Sequence, residues 1–268
     1  MMFIASLAFN PADSLDENGT LPSLINGNLT DRDLFPEAVY VFNSHGSRCS
    51  ATVIGPRVVL TAAHCIDAAG WIASWLRDDP VQVEAQCEQS NLYSTGIEDH
   101  DMALCLSPSD IHLQPATIAS LDVRVGDKVL LSGYGCTSYP GSPEGGNDGS
   151  FRTGVSTVIS LPHPGDWFYT RAQAALCSGD SGGAAYIIPK SGDVTHGPHQ
   201  VVGVNSRGNM HDLSLLTDLT IPQSKAFFHN FIAKTGATIC GVNLECTPPT
   251  SSPTCHLRHR HSKKCHRG

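Results

Sequence analysis

The sequence lacks several features that would place it in common functional classes. None of its 10 cysteines stands in a C-x-x-C pair, the spacing typical of zinc ribbons and thioredoxin-like redox sites. No apolar run approaches the roughly 20 residues of a membrane-spanning helix, so we expect no membrane span. Many cysteines without metal or redox spacing indicate disulfides. We therefore expect a protein that is secreted or periplasmic.

Positive charge is scarce before residue 256. That part of the chain carries 12 Lys and Arg against 25 Asp and Glu, whereas residues 256–268 hold five Lys and Arg, four histidines and no acid. An acidic body of this kind argues against nucleic acid as the main partner. The basic end predicts attachment to an acidic surface or partner.

The first Lys or Arg of the chain is Arg32. The short apolar run at residues 1–9 (MMFIASLAF) therefore lacks the positive residues that open a secretory signal. A signal remnant, a propeptide and a disordered terminus all stay open for residues 1–24.

Short apolar runs separated by turn residues dominate the chain, which predicts an all-β protein. One amphipathic helix is predicted over residues 222–234, because aromatic residues recur there at helical spacing behind a proline. The predicted strands are 38–43, 51–62, 81–86, 102–106, 128–134, 155–161, 184–188, 201–206 and 213–219.

Three short motifs carry side chains that suit acyl transfer. Residues 177–183 (CSGDSGG) place Ser181 in a turn of small residues, which can expose its hydroxyl and aim backbone N–H groups at the reacting oxygen. Residues 60–65 (LTAAHC) offer His64 as a base for the hydroxyl proton. Residues 101–104 (DMAL) offer Asp101 as the carboxylate that orients the imidazole.

The order histidine, aspartate, serine with these local sequences resembles the chymotrypsin/trypsin family of serine peptidases. The serine turn alone is weak evidence, because α/β-hydrolases use the same pattern with the serine before the histidine. The resemblance covers residues 25–235 and implies two six-stranded Greek-key β-barrels with a C-terminal helix. The implied domains are an N-terminal segment (1–24), a peptidase domain (25–239, with barrel one about 25–110 and barrel two plus helix about 120–239) and a Cys/His-rich basic tail (240–268).

The resemblance also implies roles for individual residues. Ser181 is the nucleophile, His64 the general base and Asp101 the carboxylate that orients the base, with Asp99 as the alternative carboxylate. Gly179 and Ser181 supply backbone N–H groups to the oxyanion hole. The chemistry uses neither a metal nor an organic cofactor.

A disulfide between Cys49 and Cys65 is implied, since the family pins its histidine loop in this way. Cys136 with Cys177 is a weaker prediction, and Cys87 with Cys105 weaker still. Cysteines and histidines of the basic tail could bind zinc, but a disulfide-tied or disordered extension is favoured.

Asp180 is implied to pair with a new amino terminus that cleavage of a precursor releases. Ile25 is the candidate terminus, because residues 25–28 (INGN) resemble the Ile-Val-Gly-Gly start of the family. The preceding residue is Leu24, so a trypsin-like activator finds no basic residue to cut after. Either another peptidase cleaves after Leu24, or a group other than a new amino terminus pairs with Asp180.

Ser206 and Gly208 follow a predicted strand and match the edge on which the family binds its substrate as an added strand. Arg207 stands between them, where an aromatic residue is usual.

The resemblance implies that Ala175, six positions before the nucleophile, forms the floor of the primary specificity pocket, with Leu176 beside it. Because a lysine ammonium buried there has no partner, apolar residues are expected rather than Lys or Arg. The alternative is that Asp212 or Asp218 reaches the pocket.

We expect a secreted serine endopeptidase that hydrolyses polypeptide substrates through an acyl-enzyme on Ser181. A catalytically silent binding protein on the same fold, or an unactivated zymogen, is the alternative, because the activation site departs from the family pattern. An enzyme that acts on esters would use the same chemistry and stays open.

Overall fold

The computed structural model describes residues 24–75, 82–94, 100–137, 149–162, 165–190, 192, 194 and 198–246. The segment before residue 24, the alternative carboxylate Asp99 and the basic tail after residue 246 lie outside the described residues. Within the described part, no helix has the length and apolar character to cross a membrane.

The described residues form fourteen strands, one α-helix and two short 3₁₀ turns, at Arg32–Leu34 and Ala63–Cys65. The strands and helix, in chain order, are β1 Asn28–Leu29, β2 Ala38–Asn43, β3 Arg48–Gly55, β4 Val58–Thr61, β5 Trp71–Trp75, β6 Gln82–Gln89, β7 Ala103–Leu106, β8 Thr117–Ile118, β9 Lys128–Gly133, β10 Arg152–Ser160, β11 Trp167–Arg171, β12 Ala184–Ile187, β13 Gln200–Gly208, β14 Leu213–Asp218 and α1 Pro222–Thr235.

Two closed barrels organise these strands. The first closes in the order β2-β3-β4-β7-β6-β5. In the second, β9, β10, β11, β14, β13 and β12 pair in that order, and β12 pairs back to β9. Every pairing within the two barrels is antiparallel. The predicted fold of two six-stranded barrels with a C-terminal helix is confirmed.

Some strand boundaries differ from the prediction. The single strand predicted over 51–62 is two strands, β3 and β4, with a turn at Pro56 and Arg57. Proline has no N–H to donate to a ladder, which explains the interruption. Neither β5 (WIASW) nor β11 (WFYTR) is predicted from the sequence, because polar residues interrupt their apolar runs.

Ser50, on β3 of the first barrel, joins the two barrels beside the serine turn. Its N–H donates to the carbonyl of Ser181 at 2.8 Å, and its hydroxyl donates to the carbonyl of Gly179, also at 2.8 Å. The same hydroxyl accepts the N–H of Tyr134 at 2.9 Å. Because Ser50 and Tyr134 are buried, the two barrels cannot separate here without leaving buried hydrogen-bonding groups unpaired.

The chain remains part of the folded body beyond the predicted boundary at residue 240. Cys240 is fully buried; its N–H donates to Ile54 of the first barrel at 2.8 Å, and its carbonyl accepts from Ile118 at 2.9 Å. A disulfide joins Cys240 to Cys246. Residues 240–246, at the start of the predicted tail, are therefore joined to the folded body through Cys240.

The first prediction concerns Gly182, which has a φ of +82° beside the barrel junction. A Cβ there would lie 2.1 Å from Thr61 Oγ1 and 2.3 Å from the carbonyl oxygen of Ser50. Gly46 has a similar φ of +78° with nothing within 4 Å of its Cβ position, and is the matched control. Gly46→Ala should lower the free energy of unfolding in urea by about 1–2 kcal/mol. Gly182→Ala should lower it by a further ~1–3 kcal/mol because of overpacking; equal losses would show that the junction is not tight.

Candidate active site

His64 and Asp101 form a pair at the end of the first barrel, in which the Asp101 side chain is fully buried and the His64 side chain is 30% exposed. His64 lies in the 3₁₀ turn after β4, and Asp101 lies two residues before β7. The His64 ring Nδ1 is 2.7 Å from Asp101 Oδ2, and the His64 backbone N–H donates to Oδ1 at 2.9 Å. These two contacts fix both the position of the imidazole and its orientation.

The environment of Asp101 keeps its carboxylate ionised. Burial acts to raise the pKa of Asp101, but the hydrogen bond and charge of His64 and a hydrogen bond from Ser206 outweigh burial and lower the pKa below its ordinary value. An ionised carboxylate at this position stabilises the imidazolium that forms when His64 takes a proton.

Ser206, on β13 of the second barrel, connects this pair to Ser181. Its hydroxyl donates to Asp101 Oδ2 at 2.6 Å, and its carbonyl accepts from Ser181 Oγ at 3.3 Å. Ser206 is predicted from the sequence only as part of the substrate edge. Its contact with Asp101 spans 105 positions of the chain, and no local pattern indicates it.

The turn that carries Ser181 presents two N–H groups without a protein acceptor. Within the described part of the chain, the N–H groups of Gly179 and Ser181 donate to no protein oxygen, whereas those of Asp180, Gly182 and Gly183 do. Gly179 has a φ of +98°, a conformation that strongly favours glycine. Two such donors beside a nucleophile can receive the oxyanion of a tetrahedral intermediate.

The buried carboxylate of Asp180 helps to fix the conformation of this turn. Its carboxylate is fully buried and accepts the N–H of Gly135 at 2.8 Å and of Cys177 at 2.9 Å. A Cβ on Gly133 would lie 2.2 Å from Asp180 Oδ1, so only glycine leaves room for the carboxylate. Burial raises the pKa of Asp180 to about 7, although the two N–H groups and the charge of Arg152 act to lower it.

Ile25 forms an antiparallel bridge with Ala175 in the described structure. Its carbonyl accepts the N–H of Ala175 at 3.0 Å, and Leu24 before it is buried in the core of the second barrel. Among the described residues, no hydrogen bond or ion pair joins Ile25 to Asp180. In this continuous chain the described hydrogen bonds and ion pairs therefore do not join the two predicted activation partners.

The predicted substrate-binding residues meet beside the serine turn. Gly208 on β13 pairs with Ser214 on β14, and the Ser214 hydroxyl accepts the N–H of Leu176 at 3.1 Å. A Cβ on Gly208 would lie 3.6 Å from the Cβ of Leu176. That Cβ would also lie 2.7 Å from the carbonyl oxygen of Leu213, so this position has no room for a side chain.

The two acids considered for the pocket have other partners. Asp212 Oδ2 is 3.1 Å from Arg171 Nε, and Asp212 Oδ1 accepts from Asn209 at 2.8 Å. Asp218 accepts the N–H and the hydroxyl of Thr220 at 2.8 and 2.7 Å. Ala175 itself is fully buried and apolar.

Disulfides brace the site. Cys49 is bonded to Cys65 next to His64, and Cys136 is bonded to Cys177 at the start of the serine turn. Cys87 and Cys105, which face each other across β6 and β7, are also bonded. Cys49, Cys65 and His64 lie within metal-binding distance of one another, but a disulfide uses both sulfurs, so this cluster offers no thiolate ligand.

Two antiparallel barrels that bring a His–Asp pair of one barrel beside a serine turn of the other define a class of serine hydrolases. The particular family follows from comparison with known proteins. The family model named Trypsin matches residues 24–222. The chain belongs to the trypsin family of serine endopeptidases.

Relatives and solved structures agree with this assignment. Serine protease SP24D of Anopheles gambiae is 25% identical over 191 residues, which cover 61% of this chain and 67% of that protein. Human kallikrein-11 is 30% identical over 164 residues, which cover 50% of this chain and 56% of that protein. Neuropsin, a serine protease expressed in the limbic system of mouse brain, has a similar fold, with a TM-score of 0.61 at 20% identity over 79% of this chain and 99% of that chain.

The second prediction concerns the pH dependence of stability that Asp180 causes. Its pKa is about 7 in the folded protein against an ordinary value of 3.8. The folded state therefore holds this proton more tightly than the unfolded chain does. The stability that this group contributes is full below about pH 4 and is lost as the pH rises through about 7.

Asp180→Asn removes this titration. Urea unfolding at pH 5 and pH 8 should show a larger loss of stability with rising pH in the parent chain than in the variant. The other ionisable groups are the same in both proteins, so they cancel in the comparison. Parallel pH dependences would contradict the raised pKa.

Proposed function

We propose that this chain is a secreted serine endopeptidase that cleaves polypeptides through an acyl-enzyme on Ser181. The observation that carries this proposal is the His64–Asp101 pair, with its 2.7 Å contact, beside a serine turn in which the N–H groups of Gly179 and Ser181 donate to no protein oxygen of the described residues. Four disulfides among the described cysteines support secretion, because such bonds persist in oxidising compartments.

The reaction proposed begins with proton transfer from Ser181 Oγ to His64 Nε2 as the oxygen attacks the peptide carbonyl. The hydroxyl, which donates to Ser206, must first turn towards the imidazole; such contacts tighten when substrate binds. The N–H groups of Gly179 and Ser181 receive the oxyanion. His64 then gives its proton to the leaving amine, and water releases the acyl group by the same steps.

The proposed primary specificity is for small apolar side chains. Ala175 supplies no charge, and the nearby acid Asp212 is engaged by Arg171 and Asn209. The close approach of Leu176 to Gly208 leaves no space for a flat ring, which needs van der Waals distance on both of its faces. The substrate backbone would pair with β13 at Ser206 and Gly208, as an added strand does.

Activation by chain cleavage is also proposed. A buried carboxylate with a pKa of about 7 lacks full compensation for the loss of water. An ammonium group delivered to it by a new amino terminus near Ile25 would favour the ionised form and hold the serine turn. The same feature favours the second candidate, a zymogen that stays inactive in the uncut form.

The third prediction tests the catalytic roles by substitution. Ser181→Ala or His64→Ala should lower kcat on a peptide substrate by about 10⁶-fold, because nucleophile and base act as a unit. Asp101→Asn should lower it by about 10⁴-fold. Asp99→Asn is the control and should change kcat little. The reverse order of the two aspartate variants would overturn the assignment of Asp101.

Activity should also decrease as the pH falls below about 6.5, where a free imidazole takes up a proton and can no longer act as base. A rate profile that is flat down to pH 5 would exclude His64 as the general base.

The fourth prediction concerns the pocket. A library of fluorogenic peptides that varies the residue before the cleaved bond should show preference for small apolar residues over Phe, Lys and Arg. Leu176→Gly should widen the gap beside Gly208 and raise kcat/KM for Phe relative to Ala. Strong selection for Arg by the parent chain would show that an acid reaches the pocket.

A further inference from the structure

His100 lies directly before Asp101 and pairs with a residue of the other barrel. Its ring Nε2 contacts Oδ2 of Asp166, which lies just before β11. The two side chains are 7% and 17% exposed. A charge-assisted contact so well shielded from water is stronger than one on the surface.

The backbone at His100 has an uncommon conformation. Its φ is +49°, in the left-handed region that residues other than glycine rarely adopt. Its carbonyl accepts the N–H of Met102 at 2.7 Å, which closes a tight turn around Asp101. Such a conformation persists only where the surrounding structure holds it. The side-chain contact with Asp166 supplies that anchor.

A second contact from the second barrel, made by β14 next to β11, also holds Asp101. The Thr217 hydroxyl of β14 donates to the carbonyl of Asp101 at 2.9 Å. Asp166 is tied to β14 as well, because its carbonyl accepts the N–H of Asp218 at 2.8 Å. Asp166 and Thr217 are thus fixed relative to each other, and the turn around Asp101 is held on both sides.

We propose that His100 and Asp166 are positioning residues for the reaction, and that their pair across the barrel boundary fixes the turn that aims the Asp101 carboxylate at His64. The inference rests on the proposed function, since Asp101 affects the reaction only through His64. Both residues act through Asp101 and have no contact with the scissile bond.

The test replaces each partner and compares a matched pair elsewhere. His100→Asn removes the imidazole that contacts Asp166, yet asparagine tolerates the left-handed backbone. The control is His45→Asn, because His45 Nδ1 contacts Asp67 at 3.0 Å within the first barrel, with the histidine 74% exposed. We expect His100→Asn and Asp166→Ala to lower kcat about 10- to 100-fold with KM nearly unchanged. His45→Asn should leave both constants unchanged. Asp166→Asn, which keeps an acceptor oxygen, should retain most of the activity.

A second measurement separates positioning from a general loss of structure. In an Asp101→Asn background, Asp166→Ala should lower kcat no further, because residues that act through one another are not additive. An equal loss in both backgrounds would overturn the proposal. If loss of Asp166 prevents folding, His100→Asn gives the same comparison.

The hydrogen-bonded proton between His64 and Asp101 provides a readout that does not require turnover. Its far-downfield NMR resonance should shift in His100→Asn and stay in place in His45→Asn. An unshifted resonance in His100→Asn would overturn the positioning role. A chain that shows the resonance and its shift but never cleaves a peptide would contradict the proposed function while supporting the positioning role.

Discussion

The site depends on the burial of the Asp101 carboxylate. Removing a carboxylate from water is unfavourable unless hydrogen bonds replace the lost hydration. Here the replacements come from both barrels: His64 from the first, and Ser206 with its 2.6 Å contact from the second. Neither barrel alone provides the whole set. The full set of hydrogen bonds to Asp101 therefore exists only when the two barrels are packed together.

The serine turn depends on a second buried carboxylate, that of Asp180, whose pKa is shifted in the opposite direction. Hydrogen bonds and the charge of His64 lower the pKa of Asp101, whereas burial raises that of Asp180 to about 7. During the proposed reaction, the imidazolium of His64 forms beside Asp101. Asp180 has two backbone N–H groups and the charge of Arg152, which together do not outweigh the effect of burial on its pKa. Asp101 is therefore suited to a direct part in the proposed reaction. Asp180 is suited to a part in which an added positive charge holds the serine turn in place.

Local motifs were sufficient to predict the elements that carry the site. The small residues around Ser181, the strand before His64 and the strand after Asp101 all follow from short runs of sequence. The helix predicted over 222–234 is also present, as Pro222–Thr235. Strands β5 and β11 escaped prediction because their pairing with neighbours, and not their own alternation, determines their conformation.

Contacts between distant parts of the chain could not be predicted. Ser50, Ser206 and Thr217 act on the site through single hydroxyl groups, and a serine or threonine in a strand has no local mark of such a role. The fold alone makes them neighbours of the serine turn and of Asp101. The place of residues 240–246 in the body likewise depends on Ile54 and Ile118, far away in sequence. Likewise, left-handed backbone at His100 depends on its tertiary surroundings.

The central claim is that Ser181 forms a covalent acyl intermediate. The most direct measurement is to mix the chain, uncut and after limited cleavage, with an activated ester, quench it with acid and locate the acyl group by peptide mass spectrometry. The account predicts one acyl group per molecule, on the peptide that contains Ser181, and none after His64→Ala. An acyl group on another residue, or none on either form of a correctly folded chain, would contradict it.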